Sequence, residues 1–141
     1  MDDYREYLWR RIEPLLEGFL QQAVASDPSL IVVTGKSSNE AFLLRAYACL
    51  RKSKDGEEIA ITVDAKSISG AIELAYDVCL EGGEVLAPGA EAILSFSSLH
   101  SEESGEFSRW LGEFRNYLVA VLTKMQEKNP HFEVNFRDVT L

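Results

Sequence analysis

The chain has 141 residues, 46% of them hydrophobic and 26% charged. That length suits one domain burying roughly two thirds of its unfolded surface, and the composition is too apolar for a disordered segment. Asp plus Glu number 23 against 14 Lys plus Arg, a formal net charge of -9, whose field repels nucleic-acid phosphates and anionic lipid headgroups and attracts cationic surfaces over a Debye length of about 8 to 10 Å. Nucleic acid and membrane are thereby set aside as partners, and another protein, basic or partly unfolded, is favoured.

Residues 2–25 carry Tyr4, Leu8, Ile12, Leu15, Leu16, Phe19, Leu20, Ala23 and Val24 at helical spacing, with charged residues between them, which predicts an amphipathic helix. Pro14 inside it implies either a kink or a first helix ending near Glu13 and a second beginning at the proline. Ser26-Asp27-Pro28-Ser29 closes the segment, and the β-branched run Leu30 to Thr34 reads as a strand. The amino terminus starts acidic and lacks both a basic region and an apolar run, so the expectation is a cytoplasmic protein without a secretory leader. Cys49 and Cys79 are the two cysteines and both sit in apolar segments, which reads as free buried thiols rather than a disulfide scaffold.

Residues 41–52 contain no β-branched residue, and Ser37 with Glu40 resembles a capping box, so a helix is a local alternative. A test of register favours a strand instead. If Ser53-Lys54-Asp55-Gly56 is a hairpin turn, Leu50, Ala48, Ala46 and Leu44 face Ile59, Ile61, Val63 and Ala65, while Arg45 faces Asp64 and Arg51 faces Glu58, so that apolar meets apolar and each arginine meets an acid. A tight turn at Ser38-Asn39 would add Ile31, Val33 and Gly35 to the inner face, opposite Ala46, Leu44 and Phe42.

Residues 67–81 space Ile68, Ile72, Ala75 and Cys79 at helical intervals before Gly82-Gly83, which predicts a second helix. Ala92 to Leu99 alternates as a half-buried strand after the Pro88-Gly89 turn, and residues 84–87 read as a further short strand. Over 105–128, Phe107, Leu111, Phe114, Leu118, Val121 and Met125 recur at alternating intervals of four and three, broadened by Trp110 and Leu122, the pattern of a long amphipathic helix. Asn129-Pro130 stops it, and Phe132, Val134 and Phe136 alternate with polar residues as a last strand. The expected fold is a single α+β domain, an antiparallel-rich sheet packed against helices in the order α-β-β-β-α-β-α-β.

Gly35-Lys36-Ser37 matches the end of a phosphate-binding loop, but the leading glycine that lets the backbone wrap phosphates is Leu30 here, inside a strand. Nucleotide binding is therefore not expected, and no cofactor is implied. His100 and His131 stand alone, without the clustering that a metal site needs. Glu57-Glu58 and Glu102-Glu103 read as solvated charge, whereas Asp64, Asp77, Tyr76 and Arg45 are the residues an enzyme or ligand cleft would use. Candidate interface residues are Tyr4, Tyr7, Trp9 and Trp110, because large aromatics outside a core often anchor partners, together with the acidic pair Glu102 and Glu103. Trp110 also lies beside the core stripe of the last helix.

In this order of elements, and in AILSFSSLHSEESGEFSRWLGEFRNYLVAVL with its strand, acidic loop and final amphipathic helix, the chain resembles the class I chaperones of type III secretion. The resemblance implies a homodimer that holds an extended segment of another protein against its sheet. The functional expectation is a non-catalytic acidic protein that escorts or masks a protein partner. Two alternatives stay open: a toxin immunity protein that neutralises a basic toxin, and a small enzyme or ligand-binding domain.

Overall fold

The computed structural model describes residues 2–38, 42–52, 58–80, 89–95 and 105–128. Helix α1 (Asp2–Ser26) leads into five strands, β1 (Leu30–Ser37), β2 (Leu44–Lys52), β3 (Ile59–Ile68), β4 (Ala71–Leu80) and β5 (Ala90–Ser95), and the long helix α2 (Glu106–Lys128) follows. The strands form one antiparallel sheet in chain order, β1-β2-β3-β4-β5. This is the α+β architecture expected, with one element changed.

That element is the predicted helix over 67–81, which is strand β4. Its apolar residues satisfy two periods at once, and Ile72, Leu74, Tyr76 and Val78 alternate as cleanly as Ile68, Ile72, Ala75 and Cys79 repeat. The turn decides between them. Ile68 pairs directly with Ala71, leaving Ser69 and Gly70 as a two-residue loop with φ of 39° and 83°, the doubly positive signature of a type I′ hairpin. Strand β4 then supplies hydrogen-bond partners along the whole length of β3, and the second helix implied by the chaperone resemblance is absent among the described residues.

The β2–β3 register agrees with expectation pair by pair: Leu44 meets Ala65, Arg45 meets Asp64, Ala46 meets Val63, Tyr47 meets Thr62, Ala48 meets Ile61, Cys49 meets Ala60 and Leu50 meets Ile59. The helical alternative for 41–52 is thus not adopted. The 53–56 turn, the short strand at 84–87, the end of the 92–99 strand beyond Ser95 and the carboxy-terminal strand lie outside the described residues. The β1–β2 register differs from expectation. Ile31, Val33 and Gly35 pair with Arg51, Cys49 and Tyr47, five residues further along β2 than a tight turn at Ser38-Asn39 dictates. An odd shift moves a strand's side chains to the opposite face, so these three residues leave the core.

Both helices lie on one side of the sheet. Leu8, Ile12, Leu16 and Phe19 of α1 are fully buried, with Leu44, Ala46, Ala48 and Leu50 of β2 in the same core, and Pro14 sits within a single helix rather than between two. An Asx turn, in which Asp27 Oδ1 accepts from Ser29 N at 3.1 Å and from Ser29 Oγ at 2.6 Å, reverses the chain into β1. Helix α2 buries Phe107, Trp110, Phe114, Leu118, Val121 and Met125, whereas Leu111 of the predicted stripe is half-buried and Tyr117 takes a core place. Tyr76 of β4 is the meeting point of the two layers, its ring centroid 5.9 Å from Trp110, 5.1 Å from Phe114 and 4.6 Å from Tyr117. Such offset and tilted ring pairs each add about 0.5–1.5 kcal/mol beyond burial.

The hairpin reading carries a direct test. Gly70→Ala forces a side chain into positive φ and is expected to destabilise by about 1 kcal/mol or more. Ser69→Asn, which tolerates that region better, is expected to stabilise by a few tenths of a kcal/mol or more. Urea unfolding midpoints of the two variants, moving in opposite directions, check it.

Candidate functional site

Alternation along five antiparallel strands gives the sheet a dry side beneath the helices and an outer side that no described element covers. The outer face is laid out in rows that cross the strands. One row is apolar: Val33, Cys49 and Ala60, flanked by Ile31 opposite Arg51. Ile31 is 49% exposed and Val33 53%, and Ile93 on the far strand reaches 66%. The next row is Gly35, Tyr47, Thr62 and Asp77. Any Cβ on Gly35 would collide with the Tyr47 ring, so the glycine lets that ring lie flat across the sheet surface.

The third row runs Ser37, Arg45, Asp64, Ala75, Glu91. Here Arg45 makes a two-pronged ion pair with Asp64, Nε to Oδ1 at 2.7 Å and Nη2 to Oδ2 at 3.1 Å. The hydrogen bond to Asp64 raises the guanidinium's proton affinity further, against a smaller opposing effect of burial. The guanidinium also lies 4.0 Å from the Phe42 ring centroid, and Lys66 Nζ approaches the same ring at 5.3 Å, an arrangement that holds two cations by the ring's quadrupole. Toward β5 the face turns acidic. An open depression of about 590 Å³ is bordered by Thr62, Asp64, Ala75, Asp77 and Glu91 among others. Asp77 and Glu91 are exposed, and Asp77 Oδ1 accepts from the Val78 N–H at 2.8 Å.

The four residues proposed for a cleft therefore divide. Arg45, Asp64 and Asp77 are on the outer face, whereas Tyr76 turns its ring into the core. Burial, and secondarily the charge of Glu113, push the Tyr76 hydroxyl's pKa up. No carboxylate is buried among the described residues, and none of their His, Cys, Asp and Glu side chains gather in threes to hold a metal ion. Cys49 is half-buried on the outer face and free. Its thiol pKa is raised, mainly by burial and also by the carboxylate of Glu58, which the thiol hydrogen-bonds. The side chain of Cys79 lies outside the described residues.

Of the candidate interface residues, Tyr4, Tyr7 and Trp9 are half-buried against the core, and Trp110 is 2% exposed within it. Tyr7 and Trp110 are linked through Phe107, at centroid distances of 5.8 and 5.9 Å. Trp9 stands apart, beneath Lys36, whose Nζ is 5.1 Å from its ring and 3.6 Å from Glu6 Oε2. Lys36 thus belongs to the end of a strand and to α1. Glu102, Glu103, His100 and His131 lie outside the described residues. Sequence reasoning missed Ile31, Val33 and Ile93 as surface groups. A signal existed: Leu30-Ile31-Val32-Val33 is apolar without alternation, which marks a strand apolar on both faces.

In comparisons with known proteins, no family model, no curated protein and no solved structure matches the chain.

Two measurements address this face. A raised thiol pKa means that Cys49 favours the folded state fully below the ordinary thiol range, and that this contribution is lost as pH rises through the folded value. In a Cys79→Ser background, Cys49 is expected to react with iodoacetamide more slowly than free cysteine at mildly alkaline pH, with Glu58→Gln recovering part of the rate. A double-mutant cycle on Arg45 and Asp64 is expected to give a coupling of about 0.5–1 kcal/mol that shrinks with added salt.

Proposed function

We propose that this protein is a non-catalytic binder of another protein, taking an apolar segment of its partner onto the open face of the sheet. The observation that carries this reading is the exposure of Ile31, Val33 and Ile93 on a side without a helix among the described residues. Ile31 and Val33 adjoin Cys49 and Ala60 at one edge of the sheet while Ile93 stands at the other, and exposed aliphatic side chains of this kind on a sheet surface are what a binding face offers. The negative charge of the chain adds attraction for a basic partner and speeds encounter. Masking or escorting a partner requires only that such a face be covered and released.

The acidic depression at Asp77 and Glu91 favours a second reading, neutralisation of a cationic protein by charge. The two readings place the energy in different rows of the same face. Partner capture from the source cell, followed by calorimetry on the purified pair, separates them. For apolar docking, Ile31→Thr with Val33→Thr is expected to weaken binding by about tenfold or more, roughly 1.4 kcal/mol, with little dependence on salt. For charge neutralisation, Asp77→Asn with Glu91→Gln is expected to do so, with affinity falling steeply as salt rises. Indifference to both pairs of substitutions sinks the proposal.

A further inference from the structure

The two edges of the sheet are unequal. β5 is six residues long and carries Glu91 on its outer side, the shortness and charge by which proteins discourage added strands. β1 has eight residues, LIVVTGKS, with no proline, and its outward row of Ile31, Val33, Gly35 and Ser37 carries no charge. The one charged residue, Lys36, is drawn back to Glu6 and Trp9 on α1 and leaves the edge unguarded. Among the described residues β1 bonds to β2 on one side only.

On the helix side of that edge a groove of about 540 Å³ is lined by Glu17, Leu20, Gln21, Val24 and Ala25 of α1 and by Val32 of β1. A strand added beside β1, about 4.8 Å away, would find two settings for its alternating side chains. One set enters this groove, against Leu20, Val24 and Val32. The other set lies on the outer face beside Ile31 and Val33. Glu17 is exposed at the groove wall, so a cation two residues from the apolar anchor, in the same alternating set, meets a carboxylate there.

We propose that the free edge of β1 is a strand-addition site for an extended segment of a basic partner protein, with an aliphatic side chain in the α1–β1 groove and a neighbouring Lys or Arg facing Glu17. This deepens the protein-binding reading above and rests on it. Main-chain hydrogen bonds to β1 supply affinity, and the groove and Glu17 select the sequence. The apolar corner at Ile31 and Val33 is then shared between the added strand and whatever follows it across the face.

The probe is a blocked, fluorescein-labelled peptide of the same eight-residue length as β1, with valine and lysine taking turns at every second position and threonine between them, and with glutamate in place of lysine in the valine–glutamate control, read by anisotropy against the full chain. The valine–lysine peptide is expected to bind, and hydrogen exchange is expected to slow at the outward amides of β1. Val24→Gln should weaken it, and Glu17→Lys should weaken it about tenfold and shift preference to the control, with unfolding midpoints unchanged. No binding, binding indifferent to Glu17→Lys, or β1 amides already protected by a second copy or by the chain itself overturns the proposal. Protection that appears at Tyr47 and Ala60 instead overturns this inference alone, because partner binding that remains sensitive to Ile31→Thr with Val33→Thr would leave the protein-binding reading standing.

Discussion

Strand β2 puts Leu44, Ala46, Ala48 and Leu50 on one side and Arg45, Tyr47, Cys49 and Arg51 on the other, and β3 answers each in register. A slip of β2 by one residue against β3 would carry Arg45 beneath the helices, away from Asp64, and turn the aliphatic set of β2 to water. Burying one charge without its partner costs several kcal/mol, and exposing four aliphatic side chains forfeits their burial as well. The register therefore has a single low-energy solution. Everything else is added to this central pair: β1 on one side, β4 on the other, and the helices over the face that the alternation makes dry.

That one-sidedness governs the rest of the molecule. α1 and α2 both present narrow apolar stripes, and both stripes are absorbed by the same side of the sheet and by each other. Tyr76, reaching from β4 into the rings of α2, shows how the second layer is anchored: its hydroxyl-bearing ring is surrounded by Trp110, Phe114 and Tyr117. No helical stripe is left among the described residues to cover the outer face. A sheet with one face packed is ordinary for antiparallel structure, but its solvent side is then usually polar. Here polar rows share that side with Ile31, Val33, Ile68 and Ile93, and this mixture is what the proposed binding role rests on.

The chaperone resemblance implies a sheet surface that receives an extended segment. Its expected second helix is strand β4, so the analogy of element order fails at that point, and the functional reading stands on the outer face itself. The arrangement there is graded across the strands. Ile31, Val33 and an edge that no further strand pairs with among the described residues lie at β1, a neutralised ion pair sits near the middle, and acids gather at β4 and β5 beside Ile93. In the proposed reading, a partner approaching such a face would be steered by charge and held by apolar contact, with the two effects acting at different places.

Period and pairing chemistry along the chain were enough to determine both helices, the β2–β3 hairpin with every described pair, and the outer position of Arg45 and Asp64. These are local or nearly local facts, each set by a stripe of apolar residues or by a short hairpin with one consistent register. Two matters needed the folded chain. Residues 71–80 satisfy both helical and strand periods, and only the free edge of β3 together with the positive-φ Ser69-Gly70 turn selects the strand. Leu30 to Val33 is apolar on both sides, so its own pattern cannot say which side faces in. The register against β2 and the place of Lys36 beside Glu6 and Trp9 decide that Val32 packs inward and Ile31 and Val33 face out. The candidate binding face exists because of that choice, which is a property of how distant segments meet rather than of any one of them.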